Sequence, residues 1–171
     1  KSGRIIAAYQ HWDGYPGGLG YNLCDNWEDA KKVTEAIKLG DSSSWKYMVG
    51  QQIDFDDRSN PLHEVQNCYY GRDRGEKGTG YKVYKDEADY IENGFNSGEQ
   101  YVYLMKDAGE KDFLGKPKMS WFYVESRYTE DGKEVFDKEF KPLEEDAIRD
   151  HIDILNRTLE MRAEAKKRKV A

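Results

Sequence analysis

The sequence predicts an α+β fold: a small central β-sheet, two helices packed on it, and a long C-terminal helix. Three observations predict it. Short β-branched and aromatic runs recur along the chain at strand length. Two stretches between them carry helix-capping residues and helical spacing. Beyond Pro142, apolar residues recur at i, i+4, i+7 and i+11 over a charged segment. With 171 residues the chain fits one domain. It divides into an α+β core over 1–141 and a C-terminal helix over 142–171.

The elements follow in order. Arg4 to Gln10, with Ile5, Ile6, Ala7 and Ala8, reads as a buried strand. Lys1-Ser2-Gly3-Arg4 leads straight into it, which reads as a chain without a signal peptide. His11 to Gly18 holds three glycines and a proline and reads as a loop. Asp25 with Glu28 forms a capping-box pattern for a helix running to Leu39, which Gly40 ends. Asp41 to Pro61 is irregular, anchored by Trp45, Tyr47, Met48 and Val49. Val65 to Tyr70 is a strand, followed by the polar loop Gly71-Arg72-Asp73-Arg74-Gly75-Glu76. Tyr81 to Tyr84 is a strand, and Lys85 to Phe95 a helix capped by Asp86 and ended by Gly94. Gln100 to Met105 and Ser120 to Ser126 are the strongest strands, with Lys106 to Met119 as the loop between them. A hairpin is expected at Asp131-Gly132. Pro142, favoured at a first helical position, opens the last helix. Its acids come first and its cations last, in keeping with the helix dipole. Its stripe of Ile148, Ile152, Leu155 and Leu159 can dock on the domain or pair with a second copy as a homo-oligomer.

Composition narrows the function classes. Hydrophobic residues make up 37% and charged residues 35%, enough for a modest core. No apolar run reaches the ~20 residues of a membrane span. The net charge of −6 makes a poor nucleic-acid binder, because phosphate neutralisation needs a basic face. Lys166-Lys167-Arg168-Lys169 is a local exception, short and terminal, that reads as a solvated helix end. Cys24 and Cys68 are too few for a disulfide framework and lack metal spacing, so they read as reduced, cytosolic thiols. No cofactor and no metal is expected. His63 and His151 read as structural. Gly17-Gly18-Leu19-Gly20 lacks the lysine and serine of a phosphate loop, and Asp54, Asp56 and Asp57 lack calcium-loop spacing.

Two constellations can carry chemistry. His11 and Asp13, two apart on an extended segment, share a side and can form an acid–base pair, or simply cap a turn. Arg72 and Arg74 can aim two guanidinium forks at one anion, or pair internally with Asp13, Asp73 or Glu76. Trp12, Tyr15, Tyr69 and Tyr70 lie beside these loops and can stack on a flat ligand or pack as core edges. If the two preceding strands run the same way, both loops reach one sheet edge. The expected ligand-binding set is then His11, Trp12, Asp13, Tyr15, Tyr70, Arg72, Arg74 and Glu76.

The stretches AAYQHWDGYPGGLGYNL, TEAIKLGDSSS, YYGRDRGEKGT, EQYVYLMKD and SWFYVES resemble a family of small phage- and prophage-encoded proteins of uncharacterised function. The likeness covers roughly residues 4 to 126, through an H-x-D-G-Y-P start and an R-D-R-G-E loop. It falls on His11, Asp13, Gly14, Tyr15, Pro16, Arg72, Asp73, Arg74 and Glu76. The resemblance implies a setting: the cytoplasm of an infected bacterium. There the chain would be a host-takeover or counter-defence accessory acting by binding, either sequestering a nucleotide-like anion or blocking a host protein. Two alternatives stand beside it. One is an enzyme acting on a phosphate-containing small molecule or nucleic acid, with His11 and Asp13 as its acid–base pair. The other is an assembly protein that oligomerises through its last helix.

Overall fold

The computed structural model describes residues 3–95 and 98–170, with side chains through residue 168. The first half runs β1 (Ile5–Ala7), a π-helical turn (Pro16–Gly20), α1 (Tyr21–Asn26), α2 (Ala30–Ile37), β2 (Ser42–Ser44), a 3-10 turn (Pro61–Glu64), β3 (Cys68–Tyr69) and α3 (Tyr70–Arg74). The second half runs β4 (Lys82–Tyr84), α4 (Glu87–Asn93), β5 (Tyr101–Lys111), β6 (Pro117–Tyr128), β7 (Glu134–Phe136), β8 (Lys141–Pro142) and α5 (Glu144–Val170). The fold is α+β, with small sheets and a long C-terminal helix.

The antiparallel β5–β6 hairpin organises the molecule, and its period of two explains how. Tyr103 pairs with Tyr123 and Met105 with Trp121 on one face. That face packs against Leu23, Trp27, Val33, Ala36, Leu143 and Ala147. Val102 pairs with Val124 and Leu104 with Phe122 on the other face. That face packs against Tyr84, Tyr90 and Phe140. One hairpin therefore packs a cluster against each of its sides, which is why the stretches Tyr101 to Met105 and Trp121 to Val124 are almost wholly apolar and aromatic. The arms run far past the core, to a turn at residues 112–116 where Asp112 Oδ1 accepts from the amides of Leu114 and Lys116. The segment Lys106 to Met119, expected as a loop, is therefore largely strand. The turn at Asp131-Gly132 joins β6 to β7 as expected.

The expected Asp25–Leu39 helix is broken in two. Asp25 lies inside α1 and caps nothing. The cap is Asp29, whose carboxylate accepts from the amides of Lys31 and Lys32 at 2.7 and 2.9 Å. The break lets Trp27 bury completely, its Nε1 donating to the Lys46 carbonyl at 2.7 Å. It also frees the Trp27 carbonyl, which accepts from Trp121 Nε1 at 2.9 Å. Gly40 ends α2 at φ +88°, and a Cβ there would sit 2.1 Å from the Thr79 carbonyl oxygen, so only glycine fits.

Strands β7 and β8 both pair with β6, and β1 to β4 form two two-stranded sheets linked by a parallel bridge. β1 pairs antiparallel with β4, Ile5 opposite Tyr84. The chain beyond β1 bridges β2 in parallel, Gln10 opposite Ser42. β2 then pairs antiparallel with β3, Ser42 opposite Tyr69. β1 and β3 therefore run in opposite directions. Their following loops leave opposite ends, and the shared edge expected for them does not form.

Pro142 belongs to β8 rather than to the helix, and α5 begins at Glu144 with three acids in its first turn. Leu143 and Ala147 are fully buried. Asp150 accepts from the Gly17 amide at 2.7 Å, and His151 Nδ1 meets the Gly17 carbonyl at 2.9 Å. The His151 ring stacks on Tyr21 with centroids 4.0 Å apart, as a structural histidine. A Cβ on Gly17 would stand 2.7 Å from both Asp150 and His151, so glycine is what lets the helix approach. The helix thus docks through Leu143, Ala147, Asp150 and His151. The stripe of Ile148, Ile152, Leu155 and Leu159 faces away and stays exposed.

Candidate functional site

A cleft of about 430 Å³ opens where the two apolar clusters fail to merge. Leu19, Leu23, Ile37 and Trp121 line it from the first cluster, and Tyr84, Tyr90 and Val102 from the second. The chain after β1 supplies Tyr9, Gln10, His11, Asp13 and Tyr15. Strand β5 adds Tyr101 and Tyr103, and the β2 region adds Asp41 and Trp45.

The backbone reasons are local. The parallel ladder holds the segment, with the His11 amide donating to the Ser42 carbonyl and the Trp12 amide to the Ser43 carbonyl. Asp13 then turns the chain at φ +61°, a left-handed conformation that Asp tolerates. Its carbonyl accepts from the Leu19 amide at 2.8 Å, and Tyr103 Oη donates to the Gly14 carbonyl at 2.7 Å. These bonds tie the loop to the π-helical turn and to β5.

The polar groups fall into three kinds. Phenols surround the cleft, and burial is the first cause that pushes Tyr9, Tyr15, Tyr84, Tyr90, Tyr101 and Tyr103 upward. All stay protonated and can both donate and accept. Carboxylates of Asp13, Asp41 and Glu99 outnumber the basic side chains of His11 and Lys82. Finally, Gln10 Oε1 and Trp45 Nε1 are buried without a hydrogen-bond partner. Gln10 Nε2 donates to the Trp12 carbonyl, which fixes the amide and leaves its oxygen as the unused acceptor. Each such orphan costs about 1–3 kcal/mol. Both residues line the cleft, while the two orphan atoms themselves lie beneath its surface.

Of the residues expected from sequence, His11, Asp13 and Tyr15 line the cleft. His11 Nδ1 lies 3.1 Å from Tyr9 Oη, so its neighbour is the phenol rather than the Asp13 carboxylate. Trp12 is 59% exposed and packs edge-on against His11 outside the cleft lining. Tyr70, Arg72, Arg74 and Glu76 are elsewhere. Their segment is the short helix α3, ended by Gly75 at φ +72° rather than an open loop.

Arg72 is spent on the fold. Nε donates to Asp73 Oδ1 at 2.8 Å and Nη2 to Asp73 Oδ2 at 2.9 Å. Nη1 reaches the carbonyls of Val49 and Gly50, and Nη2 that of Asn67. These contacts match the five N–H donors of a guanidinium. Asp73 in turn accepts from the amides of Ile53 and Tyr69. The pair is a clasp joining α3 to the irregular 45–55 segment, so for Arg72 the structure shows the internal pairing with Asp73 that stood beside the anion-ligand reading. Arg74 lies over the Phe55 ring at 5.0 Å and pairs with Glu76 at 3.7 Å, the internal alternative. Tyr70 packs against Phe55 at 5.5 Å.

Sequence reading missed Gln10, Trp45, Tyr101 and Tyr103 as site residues. The signal for the tyrosines is the period of two along β5, which puts both on one face. Gln10 and Trp45 carry no local signal, because their role comes from the parallel bridge that only the fold reveals. The thiols offer no nucleophile: burial pushes Cys24 up to about 12 and Cys68 up to about 11. Among the described residues, no group of three or more His, Cys, Asp or Glu side chains gathers to hold a metal ion, and no helix is long and apolar enough to cross a membrane.

The architecture and cleft define an α+β protein with a tyrosine-rich cavity between two cores. No family model matches the chain, and neither a curated protein nor a solved structure matches it.

Proposed function

We propose that the protein acts by binding a small flat molecule in the cleft, as a sequestering accessory factor in a phage-infected bacterium. The observation that supports this most is the pair of orphaned buried groups, Gln10 Oε1 and Trp45 Nε1, on one aromatic cavity. A ligand that shifts the wall enough to bring a donor to Gln10 Oε1 and an acceptor to Trp45 Nε1 relieves both. Ring faces stack on the tyrosines and add about 1–3 kcal/mol per base-sized ring. The excess of carboxylates and the loss of the arginine clamp turn the expected nucleotide-like anion into an uncharged relative. A nucleoside without phosphate offers a flat ring together with both donors and acceptors and carries no charge for the carboxylates to repel.

The test is calorimetric titration with the five common nucleosides and their 5′-monophosphates. One nucleoside is expected to bind more tightly than its monophosphate. Trp45→Phe, which keeps the ring but removes Nε1–H, is expected to weaken it about tenfold, or ~1.4 kcal/mol. Tighter binding of the monophosphate, or no binding of any nucleoside at millimolar concentration, refutes the reading. Release of a processed product beyond one equivalent assigns the cleft to catalysis instead, with His11 as the acid–base group.

A further inference from the structure

We infer that α5 pairs antiparallel with the α5 of a second copy of this chain. The docked face of the helix ends near Thr158. From Leu159 to Arg168 every residue is exposed. A helical extension of that length gains nothing from the domain, and short helices alone in water are marginal. The apolar stripe lies about 110° around the helix from the docked face, at ~100° per residue. Ile148 is 43% exposed, Ile152 51%, Leu155 50% and Leu159 64%.

The seam says what covers it. Glu145, Ile148, Ile152, Leu155, Leu159 and Arg162 follow one another at spacings of 3, 4, 3, 4 and 3, the pattern of a two-stranded seam. It is acidic at one end, basic at the other, and apolar between. In an antiparallel pair centred between Asp153 and Ile154, Ile148 meets the partner's Leu159 and Ile152 the partner's Leu155. Glu145 then meets the partner's Arg162 at both ends. Among the described residues Glu145 pairs with Arg149 of its own helix, and 85% of its side chain is exposed, so it is accessible to that second cation. A parallel pair sets Glu145 against Glu145 and Arg162 against Arg162, which repels. Charge and register therefore both select the antiparallel second copy. The seam offers only four apolar side chains from each helix, so a weak dimer with a dissociation constant on the order of 10–100 µM is expected.

The experiment is sedimentation equilibrium of the full chain from ~10 to ~500 µM, a range that brackets that constant. The mass is expected to rise from monomer toward dimer. Leu155→Glu is expected to hold it at monomer with unchanged circular dichroism, since the site is exposed. Glu145→Lys and Arg162→Glu are each expected to weaken the dimer, and the two together in one chain to restore it. That restoration is specific to the antiparallel register, because the doubly swapped parallel pair still sets like charges together. A monomer at every concentration overturns the inference. So does a dimer indifferent to Leu155→Glu, or a double swap that fails to restore association.

Discussion

Replacing Arg72 by alanine separates a strut from a ligand-binding group. Its side chain is 15% exposed and that of Asp73 is fully buried. Removing the guanidinium takes five hydrogen bonds with it and leaves a buried carboxylate without its cation. Breaking a buried ion pair costs about 3–5 kcal/mol. Asp73 keeps the amides of Ile53 and Tyr69, which places the cost near the lower end, about 3 kcal/mol. For a chain of this size each kcal/mol moves Tm by about 2–4 °C, so Arg72→Ala is expected to melt roughly 6–12 °C lower. Arg74→Ala breaks a pair at 3.7 Å between half-exposed groups and a guanidinium contact with the Phe55 ring, together worth about 0.5–2 kcal/mol, so its Tm should fall ~1–8 °C, less than for Arg72→Ala. Arg72→Lys should recover little, because an ammonium cannot reproduce the planar fork over Asp73 and the Tyr69 ring. Thermal unfolding followed by circular dichroism makes the comparison. Equal melting of the Arg72→Ala and Arg74→Ala proteins would refute the clasp and return both arginines to the surface.

Two further predictions follow from local geometry. Asp29→Ala should lose about 1 kcal/mol of urea stability as the true cap of α2, and Asp25→Ala less than about 0.5; the reverse order would restore the unbroken helix. The Tyr123 hydroxyl, donating to Asp146 at 2.7 Å and aided by Lys141, holds the Asp146 carboxyl below the usual range. A depressed carboxyl contributes stability that is complete above its unfolded value of about 3.9 and disappears as pH falls through its folded value. Tyr123→Phe should raise the Asp146 midpoint in a carboxyl-carbon NMR titration and flatten the stability curve below about pH 4. An unmoved midpoint would dismiss the phenol as the cause.

What the sequence made legible was local. Asp86 and Gly94 bound α4 as read, because cap chemistry acts over three or four residues. The strongest strands were found because both faces of β5 and β6 are buried, so neither alternation nor polarity diluted their aromatic character. Strand direction was illegible. The β1–β2 bridge is a parallel contact between residues 32 apart, and nothing in either segment encodes it. The helix break was hidden for a related reason. Asp25-x-x-Glu28 is a good capping pattern, but the tertiary burial of Trp27 outweighs it and moves the cap to Asp29. Arg72 misled because a guanidinium seeks an anion whether that anion is a ligand or the neighbouring Asp73, and only burial tells them apart.

The clasp and the cleft are distinct in their chemistry but joined through one segment. Arg72 grips the carbonyls of Val49 and Gly50, and the same irregular segment carries Trp45 a few residues earlier. Trp45 also packs edge-on against Trp27 at 4.9 Å and Tyr69 at 6.5 Å, and Tyr69 carries the Arg72 guanidinium on its ring. Loosening the clasp therefore loosens a wall of the cleft. An Arg72 variant that fails to bind a nucleoside would say nothing about direct contact, since the unfolded fraction and the displaced indole both weaken binding. Trp45→Phe avoids that ambiguity. It keeps a six-membered ring against Trp27 and Tyr69 and removes a donor that has no partner among the described residues, so the packing lost with the smaller ring is offset in part and the free protein should change little in stability. A binding loss at unchanged Tm then belongs to the cleft, whereas a matching fall in both would make Trp45 another part of the core.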